Sequence, residues 1–221
     1  MFKHKLISKR SILENEKKTK SKKNEEEENE YEEEKENNEV TCSDNHIYFY
    51  GDVNTKNILL LIKYIKDVNN TLFTLKSEVE NKFESSVNLY IYLHINSCGG
   101  YIMDAFAAIN YIKNSKIPII SIVDGYAASA ATFLSIVSHK RQITAYSSML
   151  IHQLSSGVSG TFQQLDDDHI NNIYLQNKIK KLYVEHSYGK LTNKLLDKIL
   201  KHDIMWDPQK CKKYGIIDEI I

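Results

Sequence analysis

The stretch KIPIISIVDGYAASAATFLS, Lys116–Ser135, contains the change of period on which the fold depends. Its first half is an apolar, β-branched run, the signature of a strand buried on both faces. After Gly125 come small residues and then Phe133 and Leu134, which reads as the opening of a helix. The same order appears upstream. NLYIYLHINS, residues 88–97, alternates Leu89, Ile91, Leu93 and Ile95 with Tyr90, Tyr92 and His94, and so predicts a strand. It stops at Cys98-Gly99-Gly100, and YIMDAFAAINYIKNS follows as a helix with a stripe of Ile102, Phe106, Ile109 and Ile112.

Working outward, HIYFYGDV predicts a short strand ending at Gly51, and the next helix has its stripe at Ile58, Leu61, Ile62 and Ile65. RQITAYSSMLIHQ holds one or two short strands, helices are expected over about 163–186 and 192–201, and YGIIDEII ends the chain as a strand or extended segment. Strand, helix, strand, helix implies parallel crossovers and an α/β layer structure. Sites in such sheets form where strands end and helices begin, which singles out Cys98–Gly100 and Gly125–Ser129.

Ser129 is placed to profit from a helix N-terminus, whose free N–H groups and dipole stabilise developing negative charge. Taken alone, however, a serine among alanines favours close helix packing over catalysis. The spacing is not the G-x-S-x-G elbow. His152, closing the apolar run of SMLIHQ, has the setting of a general base, with a structural histidine as the bland alternative. Asp203 in KHDIMWD can orient an imidazole, with Asp207 close by as the alternative. Gly99-Gly100 can present backbone N–H groups to an oxyanion, but lacks the spacing of a nucleotide-binding loop. No histidine or acid pair has metal-ligand spacing on a helix, so neither metal nor cofactor is expected.

The formal net charge of zero gives no overall field directed at nucleic acid or a membrane. Residues 1–24 carry nine Lys or Arg against two Glu, and residues 25–44 carry eleven Asp or Glu against one Lys. Residues 1–44 therefore read as a disordered charged tail, basic then acidic, with the folded domain over 45–221. The three cysteines form no CxxC pair or disulfide framework, and neither a spanning segment nor a signal-peptide core is visible. The expected location is the cytoplasm, with an organelle or a virion as alternatives.

Four blocks, in order, carry a resemblance: YIYLHINSCGG, GYAASAATFL, MLIHQ, and KHDIMWDPQKCKKYGIIDEI. They resemble the proteolytic subunit of the Clp protease family, whose pattern runs I-N-S-P-G-G, G-x-A-A-S-M-G, M-I-H-Q-P, and an Asp twelve residues before the Gly of a Y-G-hydrophobic-hydrophobic-D block. The resemblance covers about residues 46–221 and implies a Clp/crotonase-like fold of repeated β-β-α superhelical layers, with a mostly parallel sheet and a protruding helix–strand handle. It implies a serine endopeptidase with Ser129 as nucleophile, His152 as base and Asp203 as orienting acid. The backbone N–H groups of Gly100 and Ala130 would form the oxyanion hole.

Protein or peptide substrates and a homo-oligomeric ring, heptameric or double, are implied as well. The family's ATP-dependent partner, an AAA+ unfoldase, docks through an N-terminal helix and axial loop that have no recognisable counterpart before the first strand here. Cys98 and Leu154 stand where the family has proline, Ala130 where it has methionine, and Lys201-His202 where it has an Asp-Arg pair. This shortened pattern resembles the divergent branch that includes head-maturation proteases. The alternative readings are a catalytically inactive ring subunit or scaffold and, sharing the fold, a crotonase-type acyl-CoA enzyme.

Overall fold

The sheet begins earlier than composition suggests. The structure, a computed structural model, describes residues 39–83 and 86–221. Strand β1 (Val40–Ser43) pairs antiparallel with β2 (His46–Phe49), and Val40 is fully buried. The turn between them puts Asp44 at φ 54°, a left-handed conformation that aspartate tolerates better than most residues. The tail expected over 1–44 is therefore corrected at its end. Glu39 and Asp44 weigh on the charge count, while the β-prone Val40-Thr41-Cys42 between them forms the edge strand. Residues 1–38 of that expected tail lie outside the described residues.

The remaining elements are α1 (Thr55–Phe83), β3 (Ile91–Ser97), α2 (Ile102–Lys113), β4 (Ile119–Ala128), α3 (Ala131–Ile136), β5 (Lys140–Ile143), β6 (Ser148–Leu150), α4 (Phe162–His186), α5 (Asn193–Ile199), α6 (Pro208–Lys213) and β7 (Glu219–Ile220). The sheet order is β1-β2-β3-β4-β5-β7, with β6 added to the far part of β4. Every pairing after the first hairpin is parallel, so the expected α/β class with a mostly parallel sheet is what forms.

Alternation in β3 buries Ile91, Leu93 and Ile95 completely, against Ile58, Leu61 and Ile65 of α1 and the inner face of α2. On α2 the buried positions are Ala105, Ala108, Ile109 and Ile112. The expected stripe is thus rotated. Ala105 and Ala108 are fully buried in the core, and Ile102 and Phe106 pack against its margin. Each large side chain sealed in this way contributes about 1.5–3 kcal/mol.

Helix α4 starts on a capping box, in which the Thr161 hydroxyl accepts from the Gln164 N–H and the Gln164 side chain accepts from the Thr161 N–H. Only Ile179 and Tyr183 of this helix are buried. It forms the helix of the expected handle, and residues 151–160 that lead into it join no sheet ladder.

The end of the chain is fastened from inside. Arg141 on β5, 2% exposed, forms an ion pair with Asp218 and donates to the Gly215 carbonyl at 3.1 Å. The Asp218 carboxylate also accepts from the Arg141 backbone N–H at 2.9 Å. Burial pushes the Asp218 carboxyl up, but the hydrogen bonds and charge of Arg141 outweigh it, and the net effect is a lowered pKa. The aspartate of YGIIDEI thus has a structural purpose, to anchor β7 to the body. We expect Arg141→Ala to lower unfolding stability by about 3–5 kcal/mol, since it strips one partner from a buried pair. The contribution of Asp218 should be present above about pH 4, its ordinary value, and disappear as pH falls through its lower folded value. Urea unfolding of wild type and variant across pH 3–7 measures both effects.

Candidate active site

Strand β4 does not end where Gly125 suggests a turn. It runs on through Gly125-Tyr126-Ala127 to Ala128, and α3 begins only at Ala131. The extension is possible because the β3–β4 register shifts: Ile95 pairs with Val123, but Ser97 pairs with Ala127. Irregular pairing of this kind re-aims the strand. Asn96 supports the shift by accepting from the Tyr126 N–H at 3.2 Å, and a Cβ at Gly125 would lie 3.0 Å from the same Asn96 oxygen.

Ser129 therefore stands between strand and helix as a single linking residue. Its φ is 53°, in the left-handed region that costs a non-glycine residue about 1–3 kcal/mol unless its surroundings hold it. Its N–H donates to the Leu150 carbonyl at 2.9 Å, and its carbonyl accepts from the Thr132 N–H at 3.1 Å and the Thr132 hydroxyl at 2.6 Å. The sequence lacks the G-x-S-x-G pattern, yet the backbone makes a strained strand-to-helix elbow of the same kind.

Gly99 lies directly against this elbow. A Cβ there would come 2.6 Å from the Ala128 carbonyl and 2.7 Å from the Ser129 Cβ, and its φ of +96° would strain any other residue. At Gly100 a Cβ would meet the Val53 carbonyl at 2.3 Å. Val53 grips this loop from both sides, donating to the Gly99 carbonyl and accepting from the Tyr101 N–H, each at 2.8 Å. Ser97 accepts from the Gly99 N–H at 3.1 Å. Among the described residues neither the Gly100 nor the Ala130 N–H donates to a backbone carbonyl, so both donors remain free.

His152 arrives from β6. Met149 and Trp206 form an antiparallel bridge with both hydrogen bonds made, at 3.0 and 2.7 Å. Three residues on from Met149 and three back from Trp206 stand His152 and Asp203, opposite each other. Their side chains meet, His152 Nδ1 to Asp203 Oδ1, at 3.4 Å, with Asp203 77% exposed. Burial, followed by the charges of Cys98 and Asp203, pushes the Tyr126 phenol up.

One cavity of about 190 Å³ is lined by Gly100, Ser129, Ala130 and His152, with Phe133 and Tyr183 closing its apolar side. Ser129 Oγ makes no hydrogen bond to His152 among the described residues, although both border this space. Two wider grooves along α4, each about 560 Å³, contain none of the candidate residues. Asp207, the alternative acid, is otherwise engaged: its carboxylate accepts from the Lys210 N–H at 2.7 Å and caps α6. His94 pairs with Asp124 at 2.7 Å and with His46 at 2.9 Å on the outer sheet face, away from the cavity. Among the described residues no three His, Cys, Asp or Glu side chains converge as a metal site requires, and no helix is long and apolar enough to cross a membrane.

The family model for Clp protease matches residues 43–221, from the last residue of β1 to the end of the chain. The chain belongs to the Clp protease family. Its α/β architecture, with a mostly parallel sheet, is consistent with that of the family, which is one of peptidases.

Thr132, Tyr183, Leu150 and Val53 also shape this site, and none of them stands out in the sequence. Leu150 and Val53 act through backbone groups, which leave no mark in side-chain identity. Tyr183 is detectable only as the residue one turn after Ile179 on the buried side of α4. Gly99→Ala should cost at least about 1–3 kcal/mol from backbone strain alone, with more from the contact with Ala128. A chemical denaturation curve for this variant checks it, since a wild-type midpoint would mean the elbow is not packed as described.

Proposed function

We propose that the protein is a serine endopeptidase that hydrolyses peptide bonds through Ser129, His152 and Asp203. The observation that carries this is the elbow: Ser129 sits at a left-handed strand–helix junction, in one cavity with His152 and beside the free N–H groups of Gly100 and Ala130. In the reaction Ser129 Oγ attacks the peptide carbonyl carbon while His152 takes its proton. The C–N bond breaks as His152 returns that proton to the leaving amine, and water then releases the acyl group by the same steps. Asp203 holds the imidazole in its orientation. The two backbone donors stabilise the oxyanion, and one such donor is typically worth about 10²–10³ in kcat.

The substrates we propose are proteins or peptides, and the working form a homo-oligomeric ring. The exposure of Asp203 and the open Ser129–His152 pair fit a protomer whose site tightens on assembly or on substrate binding. The same two features favour a second reading, an inactive ring subunit. A fluorophosphonate probe decides between them. Wild-type protein should label covalently, Ser129→Ala should not, and His152→Ala should label at least about a hundredfold more slowly. Folded wild-type ring that resists the probe and leaves peptides uncut would favour the inactive subunit. Sedimentation or native mass measurement should show an oligomer, and a monomer at micromolar concentration would rule out the ring.

A further inference from the structure

A chain of two hydroxyl groups links the long helix α4 to the back of the elbow. Thr132 Oγ1 lies 2.6 Å from the Ser129 carbonyl oxygen and 2.6 Å from the Tyr183 hydroxyl. A carbonyl oxygen has no proton to give, so the Thr132 hydroxyl donates to it. That leaves Thr132 Oγ1 as acceptor and Tyr183 as donor. The order is fixed: Tyr183 O–H to Thr132 O–H to the Ser129 carbonyl. Both side chains are sealed from solvent, Thr132 at 0% and Tyr183 at 1% exposure. Among the described residues the Tyr183 hydroxyl makes no other hydrogen bond. Its ring is braced edge-on by Phe133, with centroids 5.7 Å apart.

The Ser129 carbonyl and the Ala130 N–H belong to one planar trans peptide, so the two groups point in opposite directions. Holding the carbonyl back toward Thr132 therefore aims the Ala130 N–H forward into the cavity. We propose that Tyr183 is a positioning residue for the Ala130 N–H, acting through Thr132 on the Ser129–Ala130 peptide. This rests on the peptidase reading for its catalytic consequence, though not for the geometry. Neither side chain touches the reacting atoms. They restrain the one backbone plane that carries both the strained Ser129 and a donor to the oxyanion. Tyr183 is also one of only two buried residues on α4, so this contact is where movement of the helix would reach the elbow.

An oxyanion donor acts on the transition state and leaves ground-state binding unchanged, so misaiming it lowers kcat and not KM. In the assembled protein, Tyr183→Phe and Thr132→Val should each lower kcat about tenfold, with KM within twofold of wild type. Affinity for a peptide boronate, a tetrahedral mimic, should fall by the same factor. Thr132→Ser keeps the hydroxyl and should stay near wild type, and the double variant should be no slower than the slower single. Wild-type kcat and boronate affinity in both single variants would overturn the proposal. So would losses that multiply in the double variant, or a KM effect without a kcat effect.

Native-state amide exchange of residues 129–133 gives a readout independent of activity. The Thr132 amide, which donates to the Ser129 carbonyl, should exchange at least severalfold faster in Tyr183→Phe, and an unchanged rate would overturn the proposal. Wild-type protein that cuts no peptide would sink the peptidase reading alone, and the exchange comparison would still decide whether Tyr183 holds the elbow.

Discussion

The contact between Gly99 and the elbow at Ser129 is the constraint around which the rest of the domain is arranged. Two chain reversals, one after β3 and one after β4, meet so closely that a single Cβ on Gly99 would fall within 3 Å of both Ala128 and Ser129. Glycine resolves the crowding on one side. On the other, Ser129 adopts a left-handed conformation that it would not hold by itself, fastened by Leu150 at its N–H and Thr132 at its carbonyl. Strain of this kind persists only where the surroundings over-determine it, and here β6, α3 and α4 all contribute.

Several motifs that look like separate signatures become parts of one scaffold once this contact is recognised. The Asn of INSCGG supports the register shift that extends β4, and the following Ser holds the Gly99 N–H. MLIHQ is the partner strand of the segment 200–206, and that pairing brings a histidine opposite an aspartate some fifty residues away. YGIIDE closes the domain through the buried Arg141–Asp218 pair. Each block is recognisable because it serves a backbone requirement as well as any chemistry, which is why their order and spacing are more informative than any one of them.

The departures from the family pattern fall unevenly on this scaffold. Ala130 replaces a methionine at a residue that borders the cavity and whose main-chain N–H donates to no backbone carbonyl among the described residues, so the change of side chain leaves that donor in place. Cys98 replaces a proline in an exposed position just before the two glycines, and Val53 still grips that loop on both sides. Leu154 replaces a proline and therefore keeps an N–H, which donates to the Gln176 side chain on α4 at 2.7 Å. The entry into the handle is thus tied to the helix by a bond that proline could not make.

The parallel α/β class, the burial pattern of β3, the inner face of α1 and the residue types of the candidate site are all legible in the sequence. Hydrophobic period and turn chemistry are local, and these elements obey them. Other features needed the tertiary structure. Gly125 reads as a turn but lies within a strand, because Asn96 from the neighbouring strand accepts its successor's N–H. Val40–Ser43 reads as tail but forms an edge strand, because β2 offers it a partner. The pairing of His152 with Asp203, the left-handed elbow and the Tyr183–Thr132 bridge join segments far apart in the chain through backbone groups and shared hydroxyls. Residue identity records what a side chain can do, and only packing decides which backbone group it will meet.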